Sequence, residues 1–475
     1  MSHVYTATID NRPITAKSTF AVVNPATAEP FADAPDCGAD ELDAAVDAAR
    51  RAFPGWRDTP MAERQALVRA LGAALAEHRF ELSRLLTQEQ GKPHAASEYD
   101  VDKGASWCDF YGRMDLPVDV VEDSAKRRLE VRRTPLGVVG ALAPWNFPVT
   151  LAMMKAAPAL VAGNAVILKP SPFTPLTALR IGEITRGILP DGVFNVISGG
   201  DHLGPLMTEH PGIDKISFTG SSATGKRVMQ SAAHSLKRIT LELGGNDAAI
   251  ILPDVDVDAV AKQIFAAAFG NSGQICVAVK RLYLHEDIYD RFAAALIELV
   301  KAAKVGDGAE QGTQFGPVQN HQQYTRIKGL IEDAKAQGYT FLIGGDEMDR
   351  PGYFLPFTLI DNPPEDSRIV REEQFGPVLP LLKWRDEADV VARANDSEYG
   401  LGGQVWSRDE NRAYELGLKL EAGTVFINQP QLVDPSVPFG GHKQSGIGVE
   451  SAIDGLLAFT NSQTVMVRKS TPQPA

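Results

Sequence analysis

From Leu136 onward the chain alternates between two kinds of pattern. Short β-prone runs, at 138–142, 165–168, 194–197 and 215–218, are separated by stretches with apolar residues at helical spacing. A second alternating series starts near Ala248 and reaches about Phe426, with a long amphipathic helix expected over 288–304 and a strand over 378–384. Alternation of this kind predicts successive βα units on mostly parallel sheets, an α/β fold. The join between the two series falls at Leu243-Gly244-Gly245-Asn246, where paired glycines suit a tight turn or a close backbone approach. Before residue 100 the pattern reads as helical, over 40–53 and 61–90, and the tail after Val467 is polar and reads as frayed.

Composition narrows the function classes. At 475 residues, with 44% hydrophobic and 23% charged positions, two or three globular domains are expected. A net charge of −13 argues against nucleic-acid or anionic-membrane partners. The basic cluster Lys126-Arg127-Arg128 with Arg132-Arg133 reads as a solvated strand pair. Three cysteines, Cys37, Cys108 and Cys276, fit a reducing compartment and leave room for one reactive thiol. The N-terminus shows no signal-peptide pattern, and the most apolar window, 151–168, holds Lys155, Pro158 and Asn164, unsuited to a membrane span. A cytoplasmic protein is the expectation.

Several residues carry candidate chemistry. Gly220-Ser221-Ser222-Ala223-Thr224-Gly225-Lys226 follows an expected strand and opens an expected helix, whose free N–H groups attract phosphate. It misses a nucleoside-triphosphate loop at Arg227, where magnesium binding needs Ser or Thr. Lys169 ends another strand, where ligands of open sheets gather. Glu242 ends an apolar strand beside two glycines, where burial would raise its pKa toward general-base range. Asn146 either donates to an oxyanion or caps the next helix. Cys276, between Ile275 and Val277, fits a buried hydrophobe as well as a nucleophile. Taken singly, each residue also fits a structural role.

Their order along the chain is more specific. Pro144-Trp145-Asn146-Phe147-Pro148, Phe218-Thr219-Gly220-Ser221, Leu241-Glu242-Leu243-Gly244-Gly245-Asn246, Gly273-Gln274-Ile275-Cys276, Glu373-Gln374-Phe375-Gly376-Pro377 and Pro438-Phe439-Gly440-Gly441-His442-Lys443-Gln444-Ser445-Gly446 together resemble the aldehyde dehydrogenase superfamily. The resemblance spans nearly the whole chain. It implies a Rossmann-like dinucleotide-binding domain (1–117 and 137–245), an α/β catalytic domain (246–447), and a small β-ribbon for oligomerisation (118–136 and 458–475). It also implies Cys276 as nucleophile and Asn146 as oxyanion donor with Lys155 supporting its amide. Glu242, 34 residues before the cysteine, would activate water as in hydrolytic members. For the cofactor it implies Trp145, Lys169, Ser171, Gly220, Ser221 and Leu243 along the nucleotide. Glu373 would take the nicotinamide ribose, with Phe375 against the ring. Thr150, Leu151, Met154, Ile275, Val277 and Phe439 would line the substrate tunnel.

This sequence departs from many NAD-specific members at Pro172, where they carry a glutamate that grips the adenosine ribose. The resemblance favours NAD and leaves NADP open. The tunnel set has no evident carboxylate or arginine pair, so a neutral aliphatic or aromatic aldehyde is expected, although loop 429–437 has no assigned place. A homodimer or homotetramer follows from the ribbon. The alternatives are an enzyme that passes the thioester to coenzyme A, which Glu242 argues against, and a non-catalytic binding protein on the same scaffold.

Overall fold

The computed structural model of the chain describes residues 3–469. The remaining tail, including the end of the segment expected at 458–475, lies outside the described residues. The alternation after Leu136 forms two sheets. In the first, five parallel strands lie in the order Phe194–Val196, Ala165–Lys169, Val138–Leu142, Lys215–Thr219, Arg238–Glu242. Val138–Leu142 and Ala165–Lys169 are buried at every position, so they read as continuous apolar runs.

Strand order reverses in this sheet. The chain builds outward from Val138–Leu142 to Phe194–Val196, then crosses back to set Lys215–Thr219 on the other side of the first strand. Loops leaving the two central strands diverge, which opens a crevice at their carboxyl ends. Trp145-Asn146 and Gly220-Ser221 both leave the sheet there.

The second sheet holds six parallel strands, Thr358–Asp361, Val378–Trp384, Val279–His285, Asp247–Ile251, Gly402–Trp406 and Thr424–Ile427, with Thr340–Ile343 antiparallel at one edge. Leu243-Gly244-Gly245-Asn246 carries the chain from the carboxyl end of the first sheet to the amino end of the second. Those two ends enclose the candidate site.

Three features differ from the sequence expectation. The segment before residue 36 is strand rather than helix. Its first hairpin, Ala7–Ile9 with Arg12–Ile14, turns through Asp10 and Asn11 at φ 56° and 57°, which suits a two-residue turn with both central residues left-handed. Gly446–Ile447 pairs antiparallel with Leu241-Glu242 of the first sheet, so the chain has left the second sheet before 447. Finally, the two ribbon segments, expected to serve contact between copies, already pair within one chain. Arg127–Pro135 pairs with Thr460–Arg468 along its whole length and with Asp119–Asp123 on its other side. The basic cluster is a strand surface, as expected: Arg127 pairs with Glu122 at 2.7 Å, and Arg128 and Arg132 both pair with Glu130, at 2.8 and 2.6 Å.

Candidate active site

Cys276 ends a turn held in an unusual backbone. Asn271, Ser272 and Gly273 are all left-handed, at φ 49°, 54° and 75°. The first two are strained for residues with a Cβ, and such strain persists only where surrounding contacts enforce it. A Cβ on Gly273 would sit 2.2 Å from the Gly376 carbonyl oxygen, so only glycine fits. The buried Gln274 side chain locks the turn, donating to the carbonyls of Asn271 (2.9 Å) and Pro317 (3.2 Å) and accepting the Gln319 N–H (2.8 Å). Cys276 is half-buried and unpaired, whereas Cys37 and Cys108 are buried. Burial pushes its thiol up to about 12, opposed by Lys280 and reinforced by Glu242, Asp247 and Glu373. At neutral pH this thiol needs a base to take its proton.

Asn146 approaches the same turn from the first sheet. Its Nδ2 donates to the Gln274 carbonyl at 3.2 Å, leaving its second N–H free for another acceptor. It does not cap the following helix, Pro148–Val161, whose cap position is Phe147. Its own carbonyl accepts from Lys92 Nζ (2.8 Å) and Asn271 Nδ2 (3.3 Å), and Lys92 pairs with buried Asp100 at 3.0 Å. Lys92 and Asp100 therefore hold the Asn146 backbone, whereas the part expected of Lys155 was support of the side-chain amide. Lys155 instead donates to Thr219 Oγ1 and Glu450 Oε1, both at 2.6 Å, and makes no hydrogen bond to Asn146.

Glu242 ends the strand Arg238–Glu242, and neither carboxylate oxygen has a hydrogen-bond partner despite burial. An orphaned buried carboxylate is costly as an anion, so its pKa is raised well above the ordinary range. Desolvation is the main cause, followed by the nearby charge of Glu450, with Lys155 opposing both. Glu450 is itself buried, bridged to Phe439 through its backbone, and meets Lys155 and Ser217 through its carboxylate; no motif in the sequence singles it out, because those partners are far away along the chain. Glu242, Lys155 and Glu450 thus form a buried acid–base cluster reaching the cysteine's side of the crevice.

The crevice wall fits a dinucleotide. Ser221 caps the twelve-residue helix Ser222–Ala233, accepting the Thr224 N–H at 3.3 Å, and presents its first N–H groups. A Cβ on Gly225 would meet Leu243 Cδ2 at 2.5 Å, so glycine there lets the helix close onto the strand end, and Gly220 donates to the Glu242 carbonyl at 3.0 Å. Lys169 is buried at its strand end, and desolvation lowers its pKa to about 8 against the pull of Asp201 and Asp36. Ser171 follows it, with its hydroxyl accepting the Phe173 N–H at 3.3 Å. Across the crevice, Glu373 Oε1 accepts the Gly245 N–H at 3.0 Å, and Trp145 meets Phe375 edge-on with centroids 5.3 Å apart. Phe375 is left-handed, at φ 50°, and Gln323 Nε2 clamps its carbonyl at 3.1 Å.

Comparison with known proteins decides the family. The model of the aldehyde dehydrogenase family matches residues 14–465. The chain belongs to the aldehyde dehydrogenase family. It is 40% identical over 463 residues to aldehyde dehydrogenase LUC3 of a Fusarium species, covering 97% of this chain and 98% of that protein. The NADP-dependent succinate-semialdehyde dehydrogenase GabD of Escherichia coli is 38% identical over 440 residues, 92% of this chain and 91% of GabD. Among solved structures, a betaine aldehyde dehydrogenase of Staphylococcus aureus in complex with NAD+ has 34% identity and a TM-score of 0.95, covering 99% of this chain and 95% of that one. The protein is an NAD(P)-dependent aldehyde dehydrogenase with a Rossmann-like and a catalytic α/β unit.

In this aldehyde dehydrogenase, Val277, Leu401 and Phe439 form a small apolar cluster, with Ile275, Cys276 and Val433 packed against it. Val433 places the previously unassigned loop 429–437. It also touches the first unit's core, as does Leu151, and Met154 is buried within that core. Thr150 is less available than its position suggested, since its hydroxyl donates to Asp100 Oδ1 at 2.6 Å. Among the described residues no helix is long and apolar enough to cross a membrane.

Proposed function

We propose that this aldehyde dehydrogenase oxidises a neutral aliphatic or aromatic aldehyde to the free acid by covalent catalysis at Cys276, with NAD preferred over NADP. The observation that carries the reading is the buried, unpartnered carboxylate of Glu242 on the same crevice as the half-buried thiol. Glu242 takes the Cys276 proton, and the thiolate attacks the aldehyde carbon to give a thiohemiacetal. The free N–H of the Asn146 amide and the Cys276 backbone N–H receive the oxyanion. A bound nicotinamide dinucleotide supplies the acceptor for the hydride leaving that carbon, which turns the adduct into a thioester on Cys276. With that first proton released to solvent, Glu242 takes a proton from water, the hydroxide adds to the thioester carbon, and collapse breaks the C–S bond and releases the acid.

Lys169, Ser171, Trp145, Gly220, Ser221 and Leu243 would hold the nucleotide, with Glu373 on the nicotinamide ribose and Phe375 against the ring. Pro172 offers no carboxylate to grip the adenosine ribose or repel a 2′-phosphate, so the preference for NAD is modest in size. The apolar set Ile275, Val277, Phe439, Leu151 and Met154, joined by Val433 and Leu401, supports a neutral substrate. A homodimer or homotetramer is supported by the outer ribbon strands, where Val120 and Met466 are exposed beside unpaired backbone edges. A cytoplasmic setting is supported by three unpaired cysteines.

Purified protein, assayed on a panel of neutral, cationic and anionic aldehydes with NAD and NADP in parallel, is expected to form one reduced dinucleotide per free acid without coenzyme A, with the highest kcat/KM on neutral aldehydes. Reduction of neither dinucleotide, or a strict requirement for coenzyme A, contradicts the reading. Asn146→Ala is expected to lower kcat about 100-fold, roughly 3 kcal/mol, as befits loss of one oxyanion donor, with dinucleotide affinity retained. Steady-state kinetics with a binding titration checks it.

A further inference from the structure

Lys280 lies four residues after Cys276, at the head of the strand Val279–His285, and its buried side chain turns back under the nucleophile turn. Its Nζ donates to the carbonyl of Cys276 at 2.6 Å and to that of Ile275 at 2.9 Å. The same atom stands 3.6 Å from Glu373 Oε1 and 5.9 Å from the centre of the Phe375 ring. One ammonium therefore touches both the turn that carries the thiol and the carboxylate on the nucleotide wall.

The grip on Ile275 has a geometric consequence. No peptide bond in the described chain is cis, so the Ile275 carbonyl and the Cys276 N–H point to opposite sides of one rigid plane. Pinning that carbonyl under the turn aims the N–H the other way, and no acceptor among the described residues takes it. Four charged groups bear on the thiol. Glu242 reaches it from the strand end, Asp247 from the head of the neighbouring strand, and Glu373 from its loop, all disfavouring the thiolate, while Lys280 favours it. Lys280 in turn faces the carboxylates of Glu373 and Asp247. A neutral residue at 280 would leave the thiolate facing only carboxylates.

We propose that Lys280 is a positioning residue for the reaction: its ammonium fixes the peptide that carries the oxyanion-binding N–H and, through Glu373, ties that peptide to the wall of the nucleotide site. This rests on Cys276 being the nucleophile. Lys280 touches neither the aldehyde carbon nor the hydride path, so its loss acts on how the thiol ionises and how the adduct is held, and leaves aldehyde encounter unchanged.

The test is the pH dependence of Cys276 alkylation by iodoacetamide, followed on the peptide containing Cys276, together with kcat and KM. In Lys280→Met the alkylation midpoint is expected to rise by at least about one pH unit, the scale on which an adjacent opposite charge acts. In that variant kcat should fall about 10- to 100-fold with the aldehyde KM within about threefold, because misaligned catalytic groups are felt in turnover. Lys280→Arg should restore the midpoint to within about half a unit, since the charge is kept. Glu373→Gln should move the midpoint downward, and this holds the test open should neither Lys280 variant fold. A Lys280→Met enzyme with unchanged midpoint and kcat overturns the proposal, as does an unmoved midpoint in Glu373→Gln. Either result, found while alkylation of Cys276 still abolishes wild-type turnover, leaves the nucleophile assignment standing; alkylation of Cys276 without loss of turnover removes the nucleophile assignment instead.

Discussion

Cys276→Ala is expected to lower aldehyde-dependent reduction of NAD(P) by at least about 10⁴-fold, the scale on which loss of a covalent nucleophile is felt. Neither of the other two cysteines is placed to replace the sulfur. Cys37 and Cys108 are buried, and burial pushes the Cys37 thiol up to about 12 and the Cys108 thiol higher still. The turn itself should survive, because Gln274, Gly273 and the Lys280 contacts to backbone carbonyls hold it without help from the thiol. Stability within about 1 kcal/mol of wild type and unchanged dinucleotide affinity are therefore expected. Kinetics, thermal melting and a binding titration on one preparation check all three. Turnover retained within tenfold removes Cys276 from the reaction.

Glu242→Gln is expected to slow both halves of catalysis and the second far more: Cys276 must then lose its proton to solvent base, with Lys280 favouring the thiolate, so acylation slows but still outpaces hydrolysis. The amide cannot take a proton from water, so hydrolysis of the thioester should slow about 1000-fold, within the range that a positioned general base supplies. Rapid mixing with aldehyde and dinucleotide is then expected to give a burst of reduced dinucleotide no larger than the enzyme concentration, followed by a slow steady state. In the wild type, kcat should rise with pH through the elevated Glu242 pKa, because the ionised carboxylate is the active form, and the variant should lose that rise. The effect on stability has the opposite sign. A carboxyl whose pKa is raised by folding contributes most below its unfolded pKa, and that contribution is lost as pH climbs through the folded value. Glutamine mimics the neutral acid, so the variant's Tm should equal or exceed that of the wild type, with the gap widening as pH rises. Equal acylation and hydrolysis rates in variant and wild type, with no burst, contradict the assignment.

How far the chain could be read in advance follows from the kind of contact each residue makes. The central strands were legible because they are buried on both faces and cannot be anything but apolar runs; Val138–Leu142 and Val378–Trp384 fall where the pattern put them. The strands before residue 36 were not, because two of the four are only three residues long and all are held by pairing rather than by their own periodicity. In the candidate site, the residues that end strands of the first sheet were legible as chemistry placed where an α/β sheet opens. Lys92, Asp100, Lys280 and Glu450 were not, since Lys92 and Lys280 act on backbone carbonyls, Asp100 acts through Lys92, and Glu450 meets Lys155 and Ser217 only in the folded chain, none of which leaves a periodic trace. Lys155 shows the converse case. The resemblance singled it out beside Asn146, but its hydrogen-bond partners come from Lys215–Thr219 and from Glu450, which only the folded chain brings there.

The most direct trial of covalent catalysis is to mix Glu242→Gln enzyme with dinucleotide and a neutral aldehyde, quench in acid, and weigh the peptides. One acyl group per chain on the peptide that contains Cys276, absent when the dinucleotide is omitted, is the outcome expected from the geometry. An unmodified Cys276 peptide after a full burst of reduced dinucleotide, or an acyl group carried by another residue, means that the carbon–sulfur bond is not formed here.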